Sequence, residues 1–355
     1  MSEQGTINRP DYLQRAGALT PVALQLVPVE VLSALQAAKR LWIVPHERPD
    51  ADALGAALGL QQILERRGVE AVVVSSDVPP AVYQVIPNIS DVSLAAPEWI
   101  PDTIVLVDCA DPSRTGRIGV AIESLPDSTQ RILIDHHVSN TSTWPLAWID
   151  AHAAATCELV SLIALAMSAD FTANNGRLAT TLAAGIIMDT ATFQHGNTTS
   201  RTLEVGALLL AAGAPISEIS RKIYRSKPRA QVELHARVLA KIKTSDAGRT
   251  IYTTMSLSDL QETGATPEMS EGIVDALAQV TESNVAIFLK EDDPDTTRIS
   301  VRTKGDGPEA TAVTKAFGGG GHARASGATV ERPLPDALAE VLAHVSTLRS
   351  RAKEG

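Results

Sequence analysis

The sequence predicts an α/β protein in which a parallel-sheet domain is joined by a helical connector to a smaller α+β domain. Its 355 residues exceed the roughly 250 to 300 at which one hydrophobic core stops growing. In the first half, short Val/Ile/Leu runs alternate with longer Ala/Leu-rich stretches, a pattern typical of buried parallel strands separated by helices. A strand pattern returns near the C-terminus after a long helical stretch, which indicates a second domain.

Four apolar runs in the first half predict strands, and each ends directly before polar or acidic residues. They comprise residues 41–44, 71–75, 103–107 and 131–134. In open parallel sheets, ligands bind beyond the carboxyl ends of the strands. The functional site is therefore expected along that edge of the sheet.

The rest of the chain is divided by composition and by breaker residues. Helical texture from residue 156 to about 243 is broken near 174–176, 213–215 and 227–228. Strands are then predicted at 250–255, 285–289 and 298–302, with helices near 271–279 and 336–349. These patterns predict a poorly ordered N-terminal extension (1–24), a first domain (25–205), a helical connector (206–245) and a second domain (246–349).

Composition and charge exclude several functional classes. Thirty-one Lys and Arg against 41 Asp and Glu give a net charge of −10, which argues against coating of long duplex nucleic acid through a basic face. The twelve aromatic residues are few for a long single-strand channel. We expect no membrane span, no signal peptide and a cytoplasmic location. The two cysteines form no CxxC pair, so neither a disulfide framework nor a thiolate zinc site is indicated.

Acidic and imidazole side chains follow several of the predicted strands. They are His46, Asp50 and Asp52 after the first strand, Asp108 after the third, Asp135, His136 and His137 after the fourth, and Asp189 after a later apolar stretch. Burying several carboxylates together is costly unless cations compensate them, so this pattern predicts a metal site. Carboxylate and imidazole without thiolate suit manganese, magnesium or iron better than structural zinc.

Each residue also has a purely structural interpretation. An Asp after a strand is commonly a helix cap or turn residue, and Asp52 could cap a helix that starts at Ala53. His137 could be a packed histidine behind the metal ligands. The glycine run 318–321 could be a flexible turn, although glycine also allows backbone NH groups to approach a phosphate.

Taken in order, these motifs resemble those of the DHH/DHHA1 phosphoesterases over residues 30–345. The motifs are His46–Gly55 (HERPDADALG), Asp108, Asp135-His136-His137 followed by Ser139-Asn140, residues 153–158, residues 188–193 (MDTATF), and Gly318-Gly319-Gly320-Gly321-His322. Single motifs of this kind arise by chance, whereas the ordered set is specific.

The resemblance implies a role for each matching residue. Two divalent ions, manganese in this interpretation, would be held by His46, Asp50, Asp52, Asp108, His136 and Asp189. Asp108 and Asp189 would bridge the ions. Asp135 would accept a hydrogen bond from a ligand imidazole, and His137 would face the substrate phosphate. In the second domain the substrate would be held by Arg302, Gly319, Gly320, Gly321 and His322.

The function implied is a metal-dependent phosphodiesterase that degrades very short oligoribonucleotides to mononucleotides and also dephosphorylates 3′-phosphoadenosine 5′-phosphate (pAp). The alternatives are a phosphodiesterase for cyclic di-AMP or its linear product pApA, and a non-catalytic nucleotide-binding regulator. A RecJ-type exonuclease would need a further domain, and a family II pyrophosphatase would lack the His322 loop. The resemblance also suggests a homodimer through the first domain.

Three positions depart from the family pattern. Ala191 stands where the third acidic motif usually has glycine, Ala56 where the first motif often has serine, and Ser326 where alanine is usual. None of the three is a predicted ligand. The change at Ala191 is expected to alter the loop beside Asp189.

Overall fold

The protein is described by a computed structural model that covers residues 5–354. The chain forms two compact units, Met1–Ser226 and Lys227–Gly355. The α/β architecture predicted for the first part and the separate mixed sheet of the second part are both confirmed.

The first unit contains a five-stranded sheet and eight α-helices among the described residues. Its strands are β1 (Arg40–Val44), β2 (Glu70–Val73), β3 (Thr103–Val107), β4 (Gln130–Asp135) and β5 (Leu146–Ile149). Its helices are α1 (Arg9–Leu26), α2 (Val29–Ala37), α3 (Ala51–Glu65), α4 (Ile118–Glu123), α5 (Thr156–Ala166), α6 (Ala173–Asp189), α7 (Ser200–Ala211) and α8 (Ile216–Arg225). Short 3-10 turns occur at Ala81–Tyr83, Ile89–Asp91 and Pro112–Thr115.

The sheet has the strand order β2-β1-β3-β4-β5, and all of its strand pairs are parallel. Four of its strands overlap the predicted runs, whereas β5 was not predicted from the sequence. The chain passes from β1 to β2 on one side and then returns to β3 on the other. The carboxyl ends of β1, β3 and β4 therefore lie side by side at the point where ligands bind in such sheets.

Alternating residues along the strands bury the two faces of the sheet in different cores. On β1, Ile43 faces one core and Trp42 the other; on β3, Val105 and Ile104 divide in the same way. The first core includes buried residues of α3, α5 and α6, and the second includes those of α4. Burial on both faces explains why these strands are continuous apolar runs.

Two glycines set the spacing between α3 and α6. A Cβ atom at Gly55 would lie 2.8 Å from the Thr181 carbonyl oxygen, and one at Gly185 would lie 2.5 Å from the Asp52 Oδ1 atom. Contacts this short are sterically excluded, so side chains at either position would push the helices apart. Close packing of the two helices places Asp52, at the start of α3, near the last turn of α6.

The N-terminal segment is helical, so the expectation of a poorly ordered extension is wrong for residues 9–24. In α1, Tyr12, Leu19 and Ala23 are buried in the first core. The sequence did not reveal this because the helix has an interior Pro21 and scattered apolar residues, and burial comes from its packing on α5 and α7. Residues 1–4 lie outside the described residues.

The second unit contains a six-stranded mixed sheet. Its strands are β6 (Lys243–Ser245), β7 (Thr250–Met255), β8 (Val285–Asp293), β9 (Thr296–Thr303), β10 (Gly320–His322) and β11 (Ala325–Val330). Its helices are α9 (Arg229–Leu239), α10 (Leu257–Thr263), α11 (Ile273–Ala278), α12 (Ala310–Lys315) and α13 (Leu334–Glu354), with 3-10 turns at Asp246–Gly248 and Pro267–Ser270.

The order of the second sheet is β10-β11-β9-β8-β7-β6, with β7 and β8 parallel and the other pairs antiparallel. One face packs on residues of α12 and α13, and the other on residues of α9, α10 and α11. The predicted connector does not form a body of its own, since α7 and α8 belong to the first unit and α9 to the second. Within residues 5–354, no single helix is long and apolar enough to cross a membrane.

Candidate metal centre

The residues predicted to bind metal converge at the carboxyl edge of the first sheet. Their possible ligand atoms form three overlapping groups, each with all atoms within 4.8 Å of one another. The groups are Asp108, Asp135, His136 and His137; His46, Asp50 and Asp108; and Asp52, His136 and Asp189. Shared members join them into one centre, because Asp108 belongs to two groups and His136 to two.

Asp50 caps the helix that follows β1. Its Oδ1 atom accepts hydrogen bonds from the backbone NH groups of Asp52 (2.9 Å) and Ala53 (3.0 Å). The helix begins at Ala51 and not at Ala53, where it would begin if Asp52 were the cap. The suggestion that Asp52 caps the helix is therefore wrong, and its side chain is available for another role.

The carboxylate of Asp52 is fully buried and lies against the N-terminus of α5. Its Oδ2 atom accepts from the Thr156 backbone NH (2.6 Å), and its Oδ1 atom accepts from the Cys157 NH (2.8 Å). The first NH groups of a helix have no intrahelical partners and carry partial positive charge. These NH groups therefore supply hydrogen bonds to the Asp52 carboxylate, whose burial would otherwise cost free energy.

Asp108 occupies the middle of the centre. It follows β3 with a left-handed backbone (φ 54°), and its Oδ1 atom accepts from the Thr156 hydroxyl at 3.0 Å. Its Oδ2 atom lies 3.5 Å from His46 Nε2, and its Oδ1 atom lies 3.6 Å from His136 Nε2 and 3.5 Å from His137 Nδ1. The bridging role that the family resemblance implies for Asp108 stays a prediction.

His136 presents one nitrogen to the carboxylates. Its Nδ1 atom lies 3.3 Å from the Ala153 carbonyl oxygen. Its Nε2 atom lies 3.1 Å from Asp189 Oδ2, 3.6 Å from Asp108 Oδ1 and 3.9 Å from Asp52 Oδ2. This Nε2 atom is buried, yet no hydrogen bond of acceptable geometry reaches it from the described residues. A buried imidazole nitrogen among carboxylates is the arrangement expected of a metal ligand.

Asp135 has a different partner from the one expected. It accepts a hydrogen bond from His137 Nδ1 at 2.8 Å, from Asn140 Nδ2 at 2.5 Å and from the backbone NH of His136 at 2.7 Å. The expected bond from a ligand imidazole is absent, because the Nδ1 atom of His136 faces the Ala153 carbonyl instead. Asp135 thus orients His137, whose side chain is 49% exposed beside the centre.

Asp189 ends α6, and the loop that follows it is strained. Ala191, Thr192 and Phe193 all have left-handed backbones, with φ between 47° and 63°. Left-handed conformations are unfavourable for residues with a Cβ atom. The last turn of α6, directly before this loop, is held by the Tyr224 hydroxyl, which donates to the Met188 carbonyl at 2.5 Å.

Replacing Ala191 by glycine is expected to stabilise the protein. The left-handed backbone at φ 47° destabilises a folded alanine by about 1 to 2 kcal/mol, and glycine would relieve this strain. The greater conformational freedom of glycine in the unfolded chain offsets about 0.4 to 1 kcal/mol of the gain in stability. Urea unfolding should therefore show an A191G variant about 0.5 to 1 kcal/mol more stable than the wild type. Ala18→Gly, at an exposed helical position of α1, should instead be destabilising. Destabilisation by A191G would contradict the strain argument.

The charges of the centre repel one another in the absence of cations. Burial, together with Asp108 and Asp189, raises the pKa of Asp50 to about 6. Burial and the same neighbours raise the pKa of Asp52 well above its usual range. Carboxylates whose ionised forms are disfavoured in this way need compensating positive charge. The electrostatics of the centre therefore favour cation binding.

Comparisons with known proteins identify the family of this chain. The sequence profile of the DHH family, N-terminal domain, matches residues 40–186, and that of the DHHA1 domain matches residues 248–349. A Thermus thermophilus protein named bifunctional oligoribonuclease and PAP phosphatase NrnA is 31% identical over 325 residues, which cover 91% of this chain and 94% of that protein. The chain belongs to the DHH/DHHA1 phosphoesterase family.

Two further relatives extend over most of the chain. A Bacillus subtilis protein of the same name is 25% identical over 285 residues, covering 80% of this chain and 87% of that protein. The crystal structure of an exopolyphosphatase-related protein from Bacteroides fragilis superposes with a TM-score of 0.82 at 21% identity, covering 93% of this chain and 99% of the other. At this identity the superposition establishes the fold alone.

The donor set of the DHH domain fits divalent metal ions. Besides the buried Nε2 atom of His136, the Nδ1 atom of His46 lies 2.7 Å from the Glu47 carbonyl oxygen. Each imidazole therefore has a carbonyl beside Nδ1 that favours a proton there, and Nε2 is left for a cation. Oxygen and imidazole donors without thiolate suit manganese or magnesium.

The DHHA1 domain contains an open groove of about 720 Å³ beside the glycine run. Its lining includes Arg302, Ser300 and Arg298 of β9 together with residues 318–321. Alternation along β9 places these three polar side chains on one face of the strand. The Arg302 Nε atom donates to Asp275 Oδ1 at 2.8 Å, so this guanidinium is already oriented. His322, also predicted to bind substrate, is exposed and pairs with Ala325, the strand neighbour of Arg302.

The glycines of this loop differ in what a side chain at each position would contact. A Cβ atom at Gly319 would overlap the Gly327 carbonyl oxygen, and one at Gly321 (φ 139°) would lie 2.6 Å from the Ala325 carbonyl oxygen. These two allow β10 to pack on β11. Gly320 is exposed, and a side chain there would meet nothing. Of the glycines in this loop, Gly320 is therefore the one whose backbone we propose to approach an anion.

Ser326, a departure from the family pattern, is among the residues that line this groove, but its side chain lies on the other face of the sheet from those of the arginines. It pairs with Val301, whose side chain is buried in the core, and paired residues of adjacent strands point to the same face of a sheet. Its hydroxyl is buried without a hydrogen-bond partner among the described residues. The serine therefore has no role that the structure explains.

Sequence reasoning assigned no role to several residues that support the centre. Thr156, Glu158 and Asn140 lie within quoted motifs. Thr156 contacts Asp108 and Glu158 contacts Arg201 from distant segments, whereas Asn140 contacts Asp135 within the same motif. A polar residue that the structure buries is indistinguishable in sequence from a solvated one. Only a motif comparison could have indicated these three positions.

Proposed function

We propose that this chain is a manganese-dependent phosphodiesterase that hydrolyses very short oligoribonucleotides to mononucleotides and also removes the 3′-phosphate of pAp. The observation that carries the proposal is the buried Nε2 atom of His136, which lies among three carboxylates without a hydrogen bond. The names of the Thermus and Bacillus relatives support the substrate class.

Six residues would hold two divalent ions. They are His46, Asp50, Asp52, Asp108, His136 and Asp189, which together make two of the three ligand groups. When bound, such ions lower the pKa of water and stabilise negative charge on phosphoryl oxygens. The protein contributes a rigid set of donors, because Asp50 and Asp52 are fixed by backbone NH groups and His136 by a carbonyl.

His137 is the residue that would contact the substrate phosphate. The hydrogen bond from its Nδ1 atom to Asp135 raises the pKa of the imidazole, with Asp108 adding to the effect. The same contact is among those that outweigh burial and lower the pKa of Asp135. When protonated, this half-exposed imidazole could donate its second NH to a nonbridging or leaving oxygen.

The DHHA1 domain would bind the rest of the substrate. Arg302 offers a planar guanidinium suited to phosphate, and His322 with Gly319, Gly320 and Gly321 would complete the contact. The net charge of −10 favours a small charged ligand met locally over a long nucleic acid. We also propose a homodimer, which size-exclusion chromatography with light scattering would test.

The decisive experiment measures hydrolysis of pApA, cyclic di-AMP and pAp by the purified chain with and without Mn²⁺. We expect pApA to give AMP and pAp to give AMP and phosphate, both only with the metal. Cyclic di-AMP as the much better substrate would favour the alternative phosphodiesterase. Absence of turnover for all three, with manganese bound, would support a non-catalytic nucleotide-binding protein.

A further inference from the structure

A buried ion pair lies next to the metal centre without contributing a ligand. Glu158, in the first turn of α5, is fully buried, and its Oε1 atom accepts from Arg201 Nε at 2.5 Å. Its Oε2 atom accepts from the Thr202 hydroxyl at 2.8 Å and from the Ala154 backbone NH at 3.1 Å. All the contacts of this carboxylate thus come from α7 and from the segment that precedes α5.

Arg201 reaches a second carboxylate at the other end of that segment. Its Nη2 atom donates to Asp150 Oδ2 at 2.9 Å, while Asp150 Oδ1 accepts from the His152 backbone NH at 2.9 Å. The Asp150 NH in turn donates to the Asp135 carbonyl at 3.1 Å. One guanidinium therefore holds both ends of residues 150–158, which we call the clamped segment.

The clamped segment touches the proposed metal ligands directly. The Ala153 carbonyl faces His136 Nδ1, and the Thr156 NH and hydroxyl donate to Asp52 and Asp108. Three ligands that come from different strands and helices are therefore oriented by a run of four residues. Any displacement of the run would move all three donor groups relative to one another.

A fourth ligand is linked to the same segment through an asparagine side chain. The Nδ2 atom of Asn197 lies 3.0 Å from the Ala154 carbonyl and 3.3 Å from the Asp189 carbonyl. It thereby joins the clamped segment to the end of α6. The loop that carries Asn197 leads directly into α7, on which Arg201 lies.

We propose that Arg201, paired with Glu158 and Asp150, is a positioning residue that fixes the clamped segment and thereby the arrangement of the metal ligands. Without the guanidinium, the Glu158 carboxylate would remain buried with only neutral hydrogen-bond donors. The Ala154 NH bound to that carboxylate would then be pulled out of position or lose its partner. The proposal rests on the proposed metal function of the site.

The test compares manganese affinity with stability in an Arg201→Ala variant of the full chain. Titration of metal-free protein followed by the electron paramagnetic resonance signal of free Mn²⁺ gives the dissociation constant. Loss of a partner that orients ligands is expected to weaken binding about 10- to 100-fold. Arg201→Lys keeps the charge but not the two-armed contact, so its affinity should lie between those of the wild type and R201A.

An ion pair in the second unit is the control. Arg237 donates to the buried Asp259 at 2.8 Å, far in sequence from any proposed metal ligand, and Lys241 also donates to that carboxylate at 2.6 Å. Because Asp259 keeps a charged partner, R237A should lower the urea midpoint by less than R201A does, and it should leave manganese affinity unchanged. Unchanged affinity in R201A and R201K, or an equal loss in R237A, would overturn the proposal. If R201A does not fold, R201K against R237A decides the question.

The design separates failure of this inference from failure of the proposed function. Wild-type protein that binds no manganese and hydrolyses none of the three substrates would refute the function itself. Wild-type protein that binds manganese, together with R201A and R201K variants that bind it equally well, would refute only the role of the clamp.

Discussion

An Asp108→Asn variant is expected to lose phosphodiesterase activity by about a thousandfold or more while keeping its fold. Asp108 lies within 3.6 Å of three imidazoles, and it is the only carboxylate that belongs to two of the three ligand groups found among the described residues. Asparagine preserves its shape and tolerates the left-handed backbone (φ 54°) better than most residues do. Because the substitution leaves the backbone undisturbed, the loss of activity would report on the charge of Asp108 and on metal binding.

Stability gives this variant a second readout. Asp108 contributes to the raised pKa of Asp50 and Asp52, and also to the raised pKa of His46 and His136. Removing its negative charge relieves repulsion between carboxylates but also removes attraction to the protonated imidazoles, so D108N without metal should unfold at about the same urea concentration as the wild type. Manganese should stabilise the wild type more than the variant.

The other end of the same strand offers the matched control. Asp102 directly precedes β3, is exposed, and accepts from the backbone NH groups of Lys39 and Arg40. D102N makes the same chemical change at the amino edge of the sheet and should retain full activity. Retained turnover in D108N would show that Asp108 is not a ligand.

Manganese binding is expected to release about two protons at pH 7.5 from the histidines of the centre. Burial lowers the pKa of His46, but the contact with Asp108 outweighs it and raises the value to about 9. Burial likewise lowers the pKa of His136, and the carboxylates of Asp189, Asp52 and Asp108 raise it to about 10. With these pKa values we expect both rings to be protonated in metal-free protein at this pH, whereas ligation requires them neutral.

The sign of the pH dependence follows from these raised values. Protonation of His46 and His136 stabilises the metal-free fold fully below their ordinary pKa of 6.5, and this stabilisation is lost as the pH rises through about 9 to 10. Manganese competes with the same protons, so its apparent dissociation constant should fall by up to about 100-fold per pH unit above neutrality. Metal-free stability should decrease over the same interval.

Calorimetry in buffers of different ionisation enthalpy measures the protons directly. A His46→Gln variant should release about one proton fewer than the wild type. His235→Gln, in the second unit, should match the wild type, because its ring faces the Met269 carbonyl and no proposed ligand. A manganese affinity that does not vary with pH would mean that neither histidine gives up a proton to the metal.

Much of the fold could be predicted from the sequence, because buried parallel strands and helices differ in apolar pattern. The predicted run 103–107 coincides with β3, and the predicted run 250–255 coincides with β7. The family follows from ordered motifs and is confirmed by two profiles that together span most of the chain. Strand β5 was not predicted because Leu146–Ile149 is short and follows a polar loop.

The sequence predicted which residues gather at the site but not which of them contact one another. Acids and imidazoles at strand ends indicated one edge of the sheet, and six proposed ligands do lie together there. The sequence could not show that Asp135 binds His137, because His136 and His137 are adjacent and differ only in the direction of their rings.

The sequence by itself determined the family, the α/β class and the set of candidate ligands, because these depend on local pattern and on the order of motifs. Only the tertiary structure decided which partner each polar group has. Glu158 and Arg201 are 43 residues apart, and nothing local distinguishes them from solvated charges until folding buries one against the other. Hydrogen bonds act over about 3 Å, so their pairing is fixed by how distant segments pack.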